Sequence, residues 1–238
     1  MPQTLEELVM LQPPTAERPL LGTIILVVED SRYACEAMRL ICQRSGARIR
    51  RAESLASAER HLRTYRPRLA VVDLGLPDGS GLELIERLAK VDPRIDGIIA
   101  TSGDESLREA ALQAGADTFL PKPLGSVSQF QAAALALMPE SYRSMRIKRP
   151  NTDSVRPDPI ALRDDLSLAA ELLRSGADAS TLDYVAGFLS GLAKCADQPQ
   201  IGKLCDMVRA VASGDGSALT SQSVALAIEE EAAAFEPV

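Results

Sequence analysis

The sequence contains no tryptophan, a single histidine (His61) and only four tyrosines and four phenylalanines in 238 residues. One histidine and four cysteines (Cys35, Cys42, Cys195, Cys205) without CxxC spacing leave no Cys/His zinc site. The cysteines therefore read as reduced, buried side chains. No apolar run approaches the ~20 residues that span a bilayer. The first residues, MPQTLEELVMLQPPT, carry acids where a secretory signal carries bases. The expectation is a cytoplasmic protein with no membrane partner. An excess of positive charge is also missing. The net charge is −7, and residues 151–238 hold 6 Lys+Arg against 14 Asp+Glu. A DNA-reading module needs a cationic surface, so DNA is not expected as a partner.

What is present is a regular alternation. Residues 1–22 read as an N-terminal tail in which TLEELVML could form a docking helix before Pro13, Pro14 and Pro19. From Thr23, apolar runs of strand length alternate with helical patterns. Strands are expected at Thr23–Val28, Ala47–Ala52, Leu69–Val72, Arg94–Ala100 and Asp117–Leu120. Helices are expected at Ser31–Ser45, Leu55–Tyr65, Leu82–Val91, Glu105–Ala114 and Val127–Met138. Five βα units in succession imply an α/β fold with a doubly wound parallel sheet of flavodoxin-like order 2-1-3-4-5. Ala47–Ala52 is the most polar run and belongs at an edge. These units make a domain at 23–138. Residues 139–159, rich in proline and including Arg143, Arg146, Lys148 and Arg149, read as a linker. Residues 160–238 show four amphipathic segments and no strand, which suggests a small helical bundle for output, interaction or dimerisation.

The segment Leu69–Gly81, LAVVDLGLPDGSG, ends an apolar run in a lone carboxylate, Asp73, and then turns into a helix. Similar boundaries follow the other strands. Glu29 and Asp30 follow the first, Thr101 the fourth, and Lys122, between Pro121 and Pro123, the fifth. The 2-1-3-4-5 order brings all of these to one end of the sheet. Three converging carboxylates repel unless neutralised. A hard divalent cation such as Mg²⁺, bound by Glu29, Asp30, Asp73 and the Gly75 carbonyl, would neutralise them. Lys122 and the Thr101 hydroxyl would then face Asp73, an arrangement suited to a transferring phosphoryl group with Asp73 as nucleophile.

On the acidic pair Glu29–Asp30, the pattern DLGLPDGSG from Asp73, Thr101 and the PKP around Lys122, residues 23–138 resemble the receiver domains of two-component response regulators. The resemblance implies a phosphorelay protein, not a turnover enzyme, that accepts a phosphoryl group on Asp73 from a sensor histidine kinase or phosphotransfer protein. It implies Mg²⁺ or another divalent cation at the acidic cluster, Thr101 and Lys122 on the phosphoryl group, and Phe119 as a rotameric switch. Gly75 and Gly103 leave the site open to water, so self-dephosphorylation is expected. A flavodoxin would need a phosphate-cradling loop after the first strand, where Glu29–Asp30 would repel phosphate. A haloacid-dehalogenase-type phosphatase would need a second Asp in place of Gly75. The helical region has no histidine, so it is not a phosphotransfer bundle. Its expected output is contact with an unknown downstream protein or a homodimer. The alternatives are a phosphate sink or relay intermediate, and lastly a DNA-binding transcriptional regulator.

Overall fold

The computed structural model describes residues 14–143, 153–214 and 219–235. The expected helix within TLEELVML, and Arg146, Lys148 and Arg149 of the basic cluster, lie outside them. Five parallel strands form the central sheet: β1 (Ile24–Val28), β2 (Arg48–Ala52), β3 (Leu69–Asp73), β4 (Gly97–Ser102) and β5 (Thr118–Pro121), in the order β2-β1-β3-β4-β5. β2 is an edge strand and β3, buried on both faces, is central, as their polarities require. The crossover helices are α1 (Arg32–Ser45), α2 (Leu55–Thr64), α3 (Gly81–Lys90), α4 (Arg108–Ala114) and α5 (Val127–Leu137).

Helices cover the sheet on both sides. On one face Val27, Val71 and Ile99 pack with Met38 and Ile41 of α1 and Phe130 of α5. On the other, Leu26, Val28 and Val72 pack with Leu84 and Ile85 of α3 and with Phe119. Leu20, in the segment assigned to the tail, is fully buried, and its N–H donates to the Ser45 carbonyl at 2.9 Å. Val155, in the linker segment, joins the same core as Phe130, and Ser154 bridges to Ser126.

β4 begins three residues later than the apolar pattern suggests. Pro93 has no N–H to donate, and Arg94 and Asp96 are held by ion pairs to Asp117 (2.9 Å) and Arg68 (2.9 Å) outside the ladder. At its other end the strand extends through Thr101 and Ser102, and Thr101 lies in register with Asp73. The segment expected as one helix at Glu105–Ala114 starts with a 3₁₀ turn at Glu105–Leu107.

After a single helical turn at Glu140–Arg143, the remaining helices are α6 (Pro159–Arg174), α7 (Ala179–Ala196), α8 (Pro199–Ser213) and α9 (Ser221–Ala233). Each start has a local cause. Pro159 and Pro199 occupy first-turn positions, Asp178 accepts from the Thr181 N–H, and Thr220 forms a capping box with Ser223. α6 packs on α9 and α7 on α8 around Leu166, Val185, Leu189, Val208 and Ile228. α6 and α7 also pack on α1, joining the bundle to the sheet domain at the carboxyl end of its strands.

Candidate functional site

The sheet ends build the site. β3 delivers Asp73, and the chain then makes a two-rung hairpin (Gly75–Leu76 with Gly79–Ser80) before entering α3. A Cβ on Gly81 would lie 2.0 Å from the Asp73 carbonyl oxygen, so only glycine lets the helix start so close behind the strand. Asp78 in this hairpin accepts from the Leu55 and Ala56 N–H groups at 2.8 and 2.9 Å and so caps α2. After β1 the chain turns at Glu29–Asp30. There the Ser31 N–H donates to Glu29 Oε1 (3.2 Å) and Asp30 Oδ1 (3.0 Å), fixing both carboxylates ahead of α1.

The expected residues meet. Oxygens of Glu29, Asp30 and Asp73 all lie within 4.8 Å of one another, and all three residues are buried. Lys122 Nζ lies 2.7 Å from Glu29 Oε2 and 2.9 Å from Asp73 Oδ2, with its side chain 6% exposed. Thr101 is buried beside Asp73, and among the described residues its hydroxyl has no hydrogen-bond partner. Gly75 lines the mouth of the chamber. Phe119 is buried in β5, with the Arg108 guanidinium stacked 4.7 Å from its ring centre and donating to its carbonyl at 3.3 Å.

Burial dominates the electrostatics. It pushes the Glu29 carboxyl well above its usual range against the pull of Lys122, and Asp73 and Asp30 add to the rise. Burial and then Asp73 push Asp30 up to about 6. Burial alone would lower the Lys122 ammonium, but the Asp73 and Glu29 carboxylates outweigh it and hold that group well above its ordinary value. One ammonium cannot balance three carboxylates. The all-oxygen donor set of Glu29, Asp30 and Asp73 fits a hard divalent cation.

Two residues of the site went unsuspected. The Tyr184 hydroxyl of α7 donates to Asp30 Oδ2 at 2.5 Å. Asp165 of α6 accepts from Ser31 Oγ (2.7 Å) and from the Arg32 and Tyr33 N–H groups (2.9 and 3.0 Å) at the first turn of α1. Tyr184, Gly187, Gly191 and Cys195 thereby become one wall of a chamber of about 380 Å³ that has Asp73 on another side. The only signal in the sequence was the helical spacing of these four residues.

Residues 25–134 match the family model described as the response regulator receiver domain. Residues 25–134 form a response regulator receiver domain. The receiver resembles that of the KDP operon transcriptional regulatory protein KdpE of Escherichia coli. The two are 31% identical over 156 residues, covering 65% of this chain and 64% of the relative. The virulence transcriptional regulatory protein PhoP of Salmonella typhimurium is 33% identical over 115 residues, covering 48% and 51%. The chain thus spans between about half and two thirds of the length of these relatives. A Burkholderia pseudomallei response regulator, solved with a phosphorylated aspartic acid, a calcium ion and citrate, overlays with a TM-score of 0.43 at 26% identity. That overlay covers 51% of this chain and 69% of the other.

These relatives correct one expectation. The acidity of residues 151–238 makes DNA an unexpected partner, yet the relatives found through the receiver are transcriptional regulatory proteins. The expectation fails physically because a net charge averages over a whole domain, whereas a nucleic-acid surface is one face. Among the described residues, no helix is long and apolar enough to cross a membrane.

Proposed function

We propose that the chain is a two-component response regulator whose receiver takes a phosphoryl group on Asp73 and whose output is control of transcription. The observation that carries the chemistry is Lys122 lying across Glu29 and Asp73, beside a three-carboxylate cluster and an unpaired Thr101 hydroxyl. An Asp73 oxygen attacks phosphorus as the donor's phosphorus–nitrogen bond breaks. The electron pair of that bond returns to the donor nitrogen of a phosphohistidine ring that carries a proton on its other nitrogen, so the ring leaves as neutral imidazole. A divalent cation held by Glu29, Asp30, Asp73 and the Gly75 carbonyl would supply the positive charge that lets the Asp73 carboxylate approach the anionic phosphoryl group. Lys122 and Thr101 offer an ammonium and a hydroxyl to the phosphoryl oxygens. Engagement of Thr101 would vacate space beside buried Phe119, the route by which occupancy at Asp73 would reach the α4–β5–α5 face. The acyl phosphate is then returned to water by the protein's own self-dephosphorylation, with no second substrate turned over.

The names of the relatives support transcription as the output. The docking of α6 and α7 on α1 favours a second reading, in which the helical region passes the signal by protein contact. Acetyl phosphate with Mg²⁺ should add one phosphoryl mass to the wild type and none to Asp73→Ala. No label on the wild type overturns the reading. DNA binding by the phosphorylated chain that falls steeply with salt supports direct transcriptional output. Its absence, together with a change in oligomeric state, supports the protein-contact reading.

A further inference from the structure

We propose that α7 of the helical region is part of the phosphoacceptor site, shutting its water side and holding Asp30, so that this helix sets the lifetime of the acyl phosphate. The inference rests on the reading of Asp73 as phosphoacceptor. Three contacts carry it. The Tyr184 hydroxyl donates to Asp30 Oδ2. A Cβ on Gly103, the glycine that leaves Asp73 open in the isolated receiver pattern, would lie 3.3 Å from the Gly191 Cα. The Lys194 ammonium donates to the Gly103 carbonyl, tying the loop after β4 to α7.

The wall leaves open space beside Asp73. Gly187 and Gly191 lie inside α7, where glycine weakens a helix. A Cβ at either would meet nothing within 4 Å. Their bare surface keeps the chamber at about 380 Å³. That is room for a phosphoryl group beside Asp73 with α7 in place. Burial drives the neighbouring Cys195 thiol up to about 12, so it stays protonated and offers no nucleophile to the acyl phosphate.

Loss of the phosphoryl group requires water. A water oxygen forms a bond to phosphorus while the bond from phosphorus to the Asp73 oxygen breaks. The carboxylate leaves with that electron pair, and the proton released by the water passes to solvent, leaving inorganic phosphate. With α7 docked, the approach through Gly103 is closed. Release of α7 opens it.

The test loads the full chain with acetyl phosphate and Mg²⁺, removes the donor and follows the phosphorylated mass over time. Asp165→Lys places a cation at the N-terminus of α1, away from Asp73, and should release the bundle. The double variant Tyr184→Phe/Lys194→Ala removes both polar contacts of α7 and serves where the first does not fold. Each should shorten the lifetime about tenfold, with faster amide exchange in α7. Lys194→Arg keeps the tie to Gly103 and should keep a lifetime within about twofold of wild type. Lifetimes within about twofold of wild type in both releasing variants overturn the proposal. A wild type that takes no phosphoryl group instead overturns the reading of Asp73 itself.

Discussion

Replacing Asp30 by Asn should remove the pH dependence of stability that this carboxylate imposes. Asp30 is raised from 3.8 to about 6, by burial first and then by the Asp73 charge, against the pull of Lys122 and of the Tyr184 hydrogen bond. The folded protein therefore binds this proton more tightly than the unfolded chain does. Its contribution is fully present below the unfolded value near pH 4 and is lost as the pH rises through about 6. A rise of that size corresponds to roughly 3 kcal/mol. Asn is isosteric, still accepts from Tyr184 and does not titrate, so subtracting the variant leaves Asp30 together with its coupling to Glu29 and Lys122. In urea unfolding with EDTA, the stability of wild type minus that of Asp30→Asn should fall by ~3 kcal/mol from pH 4 to pH 8. Mg²⁺ binds only the deprotonated cluster and should recover much of that loss at pH 8 in the wild type alone. A difference that is flat with pH, or that grows as the pH rises, refutes the assignment of burial as the dominant force on this carboxylate.

Two further perturbations probe the same end of the molecule. Lys122→Met leaves Glu29 and Asp73 without their ammonium and should cost ~3–5 kcal/mol at pH 8 in EDTA, partly restored by Mg²⁺ or by acid. Equilibrium denaturation reads this directly, and a loss under about 0.5 kcal/mol would show that the pair is not sustained in solution. Asp165→Ala, at a residue only 1% exposed, removes the acceptor of three hydrogen bonds at the start of α1 and should cost ~2–4 kcal/mol. Amide exchange should rise at Arg32 and Tyr33. Ala34 should stay protected, because Ser31 still caps it at 3.0 Å.

The sheet was legible because each of its strands carries its own signal. A β-branched run such as Ile24–Val28 can only be buried on both faces, and five strands, one of them polar enough for an edge, separated by helices leave few topologies. The strand that slipped did so for a reason outside its own apolar pattern. Ile95 and Ile98 look alike in sequence, but Arg94 and Asp96 are claimed by Asp117 and Arg68 from neighbouring segments. That claim moves the start of β4 past them, and at its other end Thr101 pairs opposite Asp73. The receiver side of the site was legible by the same logic. Glu29, Asp30, Asp73, Thr101 and Lys122 each sit at a strand end, and parallel strands have only one carboxyl end to share.

The contacts from the helical region could not be read this way. Asp165 falls among the apolar positions of α6, where the periodic pattern predicts burial but not against what, and Tyr184 lies on the face of α7 away from its apolar stripe, where that pattern predicts no partner at all. A carboxylate in a helix at 1% exposure requires donors, and in α6 itself Arg163 turns to Asp164 and Ser167 to the Arg163 carbonyl. Those donors are the open N–H groups of α1, which any helix presents at its first turn and which Ser31 alone does not exhaust. Two local oddities, a buried acid in one helix and two glycines inside the next, are each unfavourable in isolation. Both are explained once α6 and α7 lie against the acidic end of the sheet. A search for such pairs, in which an unmet need on one domain matches a surplus on another, would have found this face of the site where motif and periodicity did not.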